Sequence, residues 1–415
     1  VVRVIERVFE RFGFEPLQTP ALELAQTLMG KYGPDAEKLI YEARHREGKE
    51  ELALRYDLSV PLSRVVAMNP DLVKPFKRYQ IAPVWRAERP QKGRYREFYQ
   101  CDADIVGTSS MLADAEIITM IFTILSELGF REYVTKLNNR KVLTALGEYS
   151  DVPPALLGGL YRAIDKLDKI GREGVREEMV KNEIPAASVA KILDLIALPA
   201  DDLAAWREQL RDYPTGVAGI QELEQVLKYA REMGVNPARL QVDLTMVRGL
   251  EYYTGPIFET VVTEPKIGSL TGGGRYDGLI GLFSKNSLPA TGTTVGIERI
   301  IDVMEELQMF PSDLGKTVTQ VLVTVFDEAR RAASLQIAMK LRAAGINAEV
   351  WYDLDGLGRQ MKYAAAKGIP FSVILGPDEA AANLVTLRDM TTGEQQQILE
   401  NDLANVVKGK LGLAS

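Results

Sequence analysis

The sequence predicts an α/β protein: an α+β core interrupted by a helical insertion, then a separate C-terminal α/β domain. Three observations predict it. Strand-like runs alternate with turn residues over residues 51–60 and 74–107, and they resume after residue 238. Between about Asn138 and Pro237 strand signals nearly vanish in favour of helical periodicity. Beyond Thr317 strand and helix alternate strictly, as in a parallel or mixed sheet covered by helices. At 415 residues the chain exceeds one ordinary domain, and 46% hydrophobic with 26% charged residues supplies a sizeable core. The expected parts are residues 1–137 with 238–312, then 138–237, then 317–415.

Val1, Val4, Ile5, Val8, Phe9 and Phe12 recur at helical spacing opposite Arg3, Glu6, Arg7, Glu10 and Arg11. The chain therefore opens on an amphipathic helix closed by Gly13. It begins inside that periodic segment without a Met or an N-cap, and a few native residues are expected to precede Val1. Residues 14–20 read as an extended segment whose prolines suit an edge or interface strand. Residues 113–128 carry helical apolar spacing. The insertion reads as helices over 156–170, 175–181, 188–196 and 220–233, punctuated by Pro153-Pro154, Gly171, Pro185 and Pro214. Strands follow at 240–247 and 257–263, then the Gly-rich stretch 271–281 and a helix at 297–307. The last domain reads as strands at 320–326, 347–352 and 371–375 with helices at 329–344 and 357–367.

Composition removes several chemistries. A single cysteine, Cys101, excludes a disulfide framework, a cysteine-based zinc site and iron–sulfur ligation. A single histidine, His45, excludes the two-histidine zinc helix. It sits in the charged run Arg44-His45-Arg46-Glu47-Gly48-Lys49-Glu50-Glu51, a poor shelter for the base of a Ser/His/Asp triad. The net charge of −7 argues against a basic coat, though not against a local basic groove. No apolar run is long enough to cross a membrane and no signal peptide opens the chain, so a cytoplasmic protein is expected. The phosphate loop, the dinucleotide fingerprint and the Gly-x-Ser-x-Gly elbow are all absent.

The informative run spans residues 74–96, with eight basic residues against Glu88 alone, a local +7. Pro90-Gln91-Lys92-Gly93 is a turn between apolar flanks, so the run reads as a β-hairpin whose arginines converge on a polyphosphate. Charge alone leaves that reading and a solvated, salt-bridged hairpin evenly matched. Gln100, Asp102 and Asp104 follow at i, i+2 and i+4 and share one face of a strand. Arginines at one end and carboxylates at the other suit a zwitterionic, partly cationic ligand beside a phosphate.

Further along come Arg248-Gly249-Leu250-Glu251-Tyr252-Tyr253, Gly274-Arg275-Tyr276-Asp277-Gly278 and Gly296-Ile297-Glu298-Arg299. Together and in this order, these segments resemble the class II aminoacyl-tRNA synthetases, and within them the histidyl-tRNA synthetase family. The segment ending at Pro20 resembles the first class-wide motif, Arg86-Ala87-Glu88-Arg89-Pro90 through Phe98 the second, and Gly296-Ile297-Glu298-Arg299 the third. The Arg248 and Gly274 runs resemble the two histidine-specific signatures, with Glu251 standing where the family usually has Asp.

The resemblance implies an antiparallel sheet flanked by helices as the catalytic core, and an anticodon-binding domain at the C-terminus. It also implies ATP, Mg2+, L-histidine and tRNA(His) as ligands, and a homodimer through the first motif. The carboxylate of histidine attacks the α-phosphate of ATP, and the adenylate then acylates the tRNA. The first step needs held positive charge and no protein base, since the nucleophile is already ionised. Carried over by motif, Arg86 holds the α-phosphate, Arg94 the outer phosphates, and Phe98 and Arg299 the two faces of adenine. Glu88 reads adenine or positions magnesium. Arg248 sits between the histidine carboxylate and the α-phosphate and, with Arg86, is catalytic. Asp57, Ser59 and Gln100 take the α-ammonium, Asp104 and Tyr253 the imidazole, and Tyr252 and Tyr276 complete the histidine pocket.

Gln91, Arg359 and Lys362 are the implied tRNA contacts, the last two on a helix that also carries Tyr363 and Lys367. The helical insertion is implied to lean on the acceptor arm. The alternative is a histidine-binding regulatory paralogue without aminoacylation activity; retention of Arg248 and of the terminal domain places it second. Because His45 lies outside every matched motif, His45→Gln is expected to leave the rate of adenylate formation nearly unchanged, as read by histidine-dependent pyrophosphate exchange.

Overall fold

The structure, a computed structural model, describes residues 1–91, 93–247, 252–311 and 316–413. Two compact units divide the chain, Val1–Met309 and Phe310–Ser415.

Strands of the first unit are β1 (Glu15–Pro16), β2 (Leu22–Leu24), β3 (Glu42–Ala43), β4 (Leu52–Leu54), β5 (Phe76–Trp85), β6 (Glu97–Val106), β7 (Val134–Asn139), β8 (Leu240–Val242), β9 (Pro256–Val261), β10 (Thr271–Arg275) and β11 (Ala290–Gly296). Eight of them form one sheet in the order β1-β5-β6-β11-β10-β9-β7-β8. Its inner pairs are antiparallel, and only the edge pairs β1/β5 and β7/β8 are parallel. Strands β2, β4 and β3 make a small antiparallel sheet.

The expected hairpin is present. β5 and β6 pair along their whole length, from Phe76 opposite Val106 to Trp85 opposite Glu97. Their connection turns at a Gln91–Arg94 bridge, where Gly93 supplies a φ of +72° that a β-carbon would disfavour. The period-2 alternation of β6 puts Gln100, Asp102 and Asp104 on one face and Cys101, Ala103 and Ile105 on the other. Behind the sheet lies the helix Met111–Glu127, packed against β10 and β11, with Ile117, Ile118, Ile121 and Ile124 fully buried. The opening helix Val2–Arg11 buries Ile5, Val8 and Phe9 and packs on that same helix. Exposed Arg7 and Arg11 reach its Glu127 at 2.9 and 2.5 Å.

The stretch 51–60 departs from the strand expected of it. Only Leu52–Leu54 is strand, and Ser59 begins the helix Ser59–Met68. The chain can turn there because Asp57 Oδ1 accepts the Val60 N–H at 3.1 Å, while Pro61 occupies the first helical turn, where no intrahelical N–H is needed.

Between β7 and β8 run the helices Arg140–Tyr149, Leu157–Ile164, Leu167–Lys181, Ala186–Leu195, Leu203–Gln209 and Pro214–Glu232. The third bends at Gly171, so two expected helices are arranged as one helix and one bent helix. Leu203–Gln209 was not legible from apolar spacing; Asp202 caps it by accepting the Ala205 N–H at 3.0 Å. The long helix Pro214–Glu232 packs on Met111–Glu127 and Arg140–Tyr149.

The second unit holds β12 (Val321–Val323), β13 (Ala348–Val350), β14 (Phe371–Ile374), β15 (Leu384–Asp389) and β16 (Gln395–Leu399), in the order β13-β12-β14-β15-β16. The first three strands are mutually parallel and the last two extend the sheet antiparallel. Fully buried Gln360 joins the helix Leu357–Lys367 to the sheet. Its Oε1 accepts from Val325 N at 3.0 Å, and its Nε2 donates to the Val325 and Asp355 carbonyls at 2.8 and 2.7 Å.

One buried ion pair ties the large sheet to the helix behind it. Arg275, at the end of β10, donates to the Asp114 carboxylate and to the carbonyls of Thr108 and Ser110 at 3.0 and 3.1 Å. Removing one member of a buried pair strands the other without water. Asp114→Ala is expected to lower stability by about 3–5 kcal/mol, measured as a shift of the denaturation midpoint.

Candidate active site

Two cavities of about 280 and 270 Å³ open on the polar face of the large sheet and share Arg86, Gln100, Gly272 and Thr294 in their walls. One is lined by arginines and the other by carboxylates. Arg86 stands where they meet.

The first cavity carries Arg86, Glu88, Arg94, Phe98, Glu298 and Arg299. The Arg86 guanidinium lies 4.3 Å from the Tyr56 ring centre and 5.0 Å from that of Phe98, and its Nε donates to the Tyr56 carbonyl at 3.2 Å. Aromatic faces thus hold it in place without consuming its charge. Arg299, in the first turn of the helix Ile297–Glu306, is fixed by donating to the carbonyls of Gly93 at 3.0 Å and Ser269 at 2.8 Å. Burial lowers its pKa, and the positive charges of Arg94 and Arg86 lower it further. Arg94 pairs with Glu88 at 3.3 Å while remaining half exposed, a weak bond that an anion can displace. Like charges held together this way are relieved by a polyanion.

The basic run is less concentrated than its +7 suggests. Lys74 caps the Pro70 and Leu72 carbonyls, Lys77 pairs with Glu116 at 2.9 Å, and fully buried Arg78 pairs with Asp104 at 2.9 Å. Arg86 and Arg94 are the basic residues of that run which line the cavity, among those described.

The second cavity holds Asp57, Ser59, Asp102, Asp104, Tyr252, Tyr253 and Tyr276. Ser59 reaches it as the first residue of its helix. Asp57 Oδ1 accepts from the Tyr32 hydroxyl at 2.9 Å and from Val60 N, and its Oδ2 from Tyr252 at 3.4 Å. Asp104 sits between Arg78 and the Tyr276 hydroxyl, which donates to it at 2.5 Å. Burial raises the pKa of Asp57 and of Asp104 against these favourable partners. Asp102 is pushed up to about 8, first by burial and then by the charge of Asp104.

Glycine makes the room. Gly272 on β10 and Gly292 on β11 line the cavity where side chains would otherwise fill it. A β-carbon on Gly292 would sit 2.0 Å from Asp104 Oδ1.

The structure thus brings Asp57, Ser59, Glu88, Arg86, Arg94, Phe98, Gln100, Asp104, Tyr252, Tyr253, Tyr276 and Arg299 to two adjoining cavities. Arg248 lies outside the described residues. Gln91 is exposed at the hairpin tip. In the second unit Arg359 and Lys362 are exposed, Arg359 pairing with Asp355 at 2.9 Å. Tyr363 and Lys367 are occupied instead, both bound to Glu349 at 2.5 Å. Arg78, Asp102 and Thr294 carried no assigned role in the sequence. Alternation on β6 already aims Asp102 at the site, whereas Arg78 and Thr294 become visible only through strand register.

Asp102 makes stability pH-dependent with a definite sign. Its pKa in the fold, about 8, exceeds the ~3.9 of an unfolded chain. The folded state therefore holds the proton more tightly, a contribution complete below the unfolded value and lost as pH rises through about 8. Asp102→Asn removes that loss. The stability of Asp102→Asn minus that of the parent is expected to grow between pH 5 and pH 8 in denaturant titrations; a flat difference contradicts the assignment.

Comparison with known proteins follows the same division of the chain. A family model described as "Histidyl-tRNA synthetase" matches residues 1–300, and one described as "Anticodon binding domain" matches residues 320–410. The histidine–tRNA ligase of Cytophaga hutchinsonii is 41% identical, with 98% of this chain and 94% of that protein aligned. That of Aeropyrum pernix is 43% identical over 94% of this chain and 89% of its own. The crystal structure of histidyl-tRNA synthetase from Nostoc sp. PCC 7120 superposes with a TM-score of 0.84 at 33% identity, covering 99% of this chain and 94% of that one. With the matched model spanning both cavities and the likeness extending over nearly the whole length, the chain belongs to the histidyl-tRNA synthetase family.

Proposed function

We propose that this protein ligates L-histidine to tRNA(His) at the expense of ATP, through a histidyl-adenylate. The observation that carries the reading is the junction of an arginine-lined and a carboxylate-lined cavity at Arg86. Histidine lies in the acidic cavity, its ammonium and imidazole among Asp57, Ser59, Gln100, Asp104 and Tyr253, with Tyr252 and Tyr276 closing the pocket. Its carboxylate points toward Arg86. ATP lies in the basic cavity, adenine between Phe98 and Arg299, α-phosphate on Arg86 and outer phosphates on Arg94.

A carboxylate oxygen attacks the α-phosphorus, the bond to the bridging oxygen breaks, and pyrophosphate leaves. The ribose 3′-hydroxyl of the tRNA then attacks the acyl carbon and AMP leaves. Neither step calls on an imidazole of the protein. Held positive charge offsets the negative charge building on phosphorus, and the junction aligns the two reacting groups. Arg248 adds to that charge as the second catalytic arginine. Mg2+ would enter on the triphosphate, where it neutralises charge on the phosphate oxygens. Glu88 and Glu298, both lining this cavity, suit an ion that takes one or two carboxylates and keeps the rest of its shell as water and phosphate.

In domain terms, residues 1–137 with 238–312 serve as the catalytic domain, 138–237 as the helical insertion and 317–415 as the anticodon reader. Exposed Arg359 and Lys362, with Gln91 at the hairpin tip, are the proposed tRNA contacts. A homodimer is proposed at the edge carrying β1. The apolar face of the opening helix is buried within the unit, but Leu22 and Leu24 project exposed from one face of β2. No helix among the described residues is long and apolar enough to cross a membrane, and the cytoplasm is the proposed location.

Histidine-dependent exchange of labelled pyrophosphate into ATP tests the reading. Exchange is expected with histidine above every other amino acid, and Arg86→Ala is expected to lower it by roughly 10²–10³-fold, as is Arg248→Ala. Absence of exchange in folded protein with any amino acid overturns the reading. Gly292→Ala is expected to raise the KM for histidine, because the new methyl must displace Asp104 from Tyr276. An unchanged KM argues against Asp104 as a histidine ligand.

A further inference from the structure

The acidic cavity has more acceptors than its own donors satisfy. Among the described residues, Gln100 Oε1 and Asp102 Oδ1 are buried and have no hydrogen-bond partner. Both residues line the cavity, and Asp102 is only 2% exposed. They are successive residues on one face of β6, and one side chain from the next strand serves both. Thr294, the register partner of Asp102 on β11, accepts from Gln100 Nε2 at 3.0 Å. Its hydroxyl also serves the Asp102 carboxylate. With its single proton committed to Asp102, Thr294 has only a lone pair to offer Gln100. The amide is thereby fixed with Nε2 toward Thr294 and Oε1 toward the cavity.

Asp57, implied by motif to take the ammonium, already accepts from Tyr32, Val60 and Tyr252. With Asp102 as the carboxylate, what remains open is a pair of acceptors, Gln100 Oε1 and Asp102 Oδ1, with no donor between them. A neutral imidazole, one donor and one acceptor, satisfies only half of that demand. An ammonium, all donor and no acceptor, satisfies it. We propose that Asp102 is a recognition residue for the α-ammonium of the amino acid, taking one N–H while Gln100 takes another, and that Thr294 is the positioning residue that aims both acceptors.

This rests on the histidine-binding reading of the cavity and adds to it a ligand outside the motif-matched residues. The charged and titratable groups facing Asp102 are Asp104, Asp57, Arg78, Arg55, Tyr253 and Glu259. Burial and Asp104 keep Asp102 protonated near neutral pH. An arriving ammonium favours the carboxylate, the Asp102 proton passes to solvent, and the charge forms only against its partner.

The test compares L-histidine with 3-(imidazol-4-yl)propionate, the same molecule without its amino group, by calorimetric binding and by pyrophosphate exchange. In Asp102→Asn the Kd and KM for histidine are expected to rise roughly 10- to 100-fold, as for loss of one charged hydrogen bond, with kcat largely kept. Binding of the deamino compound should stay within about twofold, since it makes no such bond. Thr294→Val should weaken histidine in the same selective way, and Thr294→Ser should restore it. An unchanged histidine Kd in Asp102→Asn overturns the proposal. Equal weakening of both compounds also overturns it, because Asp102 would then read the ring or merely shape the pocket. A parent protein that binds histidine but exchanges no pyrophosphate refutes the reaction and leaves the ligand assignment to stand on the variants. If the parent binds no histidine, both are refuted.

Discussion

The register between β6 and β11 is the constraint on which the site depends. It sets Asp104 opposite Gly292, Asp102 opposite Thr294, and Gln100 opposite Gly296. A slip of one residue would turn the polar face of β6 into the helix-packed face and expose Cys101, Ala103 and Ile105, now buried, on the cavity side. The apolar half of the alternation therefore holds the polar half in place. Hydrophobic burial behind the sheet, chiefly on the helix Met111–Glu127, fixes a geometry whose use lies on the other side.

That geometry is electrostatically lopsided by construction. On one side arginines crowd until burial and mutual repulsion weaken the basicity of Arg299. On the other, Asp57, Asp102 and Asp104 are driven toward their neutral forms by removal from water. Neither half is at ease alone. A ligand with a cationic end, a carboxylate in the middle and a phosphate beyond relieves both at once, which is the order the proposed function gives its substrates. The Arg78–Asp104 pair shows the limit of this arrangement. Burial raises the Asp104 pKa, while Arg78, buried within the sheet, and the Tyr276 hydroxyl pull against that rise.

Much of this was legible in the sequence, for identifiable reasons. Period-2 alternation located the face shared by Gln100, Asp102 and Asp104, and the hairpin was marked by its turn residues. The βα alternation reached β14 but missed β15 and β16; in β16 polar Gln395, Gln396 and Gln397 give no apolar signal, while β15 extends the sheet antiparallel, outside the βα pattern. Charge counting misjudged the basic run, because a count cannot tell Arg78, spent inside the sheet, from Arg86, held open by two rings. The engagement of Tyr363 and Lys367 was hidden for a similar reason: their partner, Glu349, lies on β13 and is invisible to helix periodicity. The strand expected around Asp57 failed because a side-chain cap, not a hydrophobic pattern, decides where that helix begins.

The Arg275–Asp114 pair has a consequence for how selectivity and stability travel together. Arg275 immediately precedes Tyr276, and its guanidinium is bolted to the first turn of the buried helix. The tyrosine that grips Asp104 is thus an extension of the hydrophobic interior rather than of a surface loop. In the proposed histidine pocket, discrimination among amino acids would be set by the same cooperative unit that melts. On warming, selectivity should survive as long as the fold does and vanish with it, with no intermediate range in which a loosened pocket still turns over the wrong substrate.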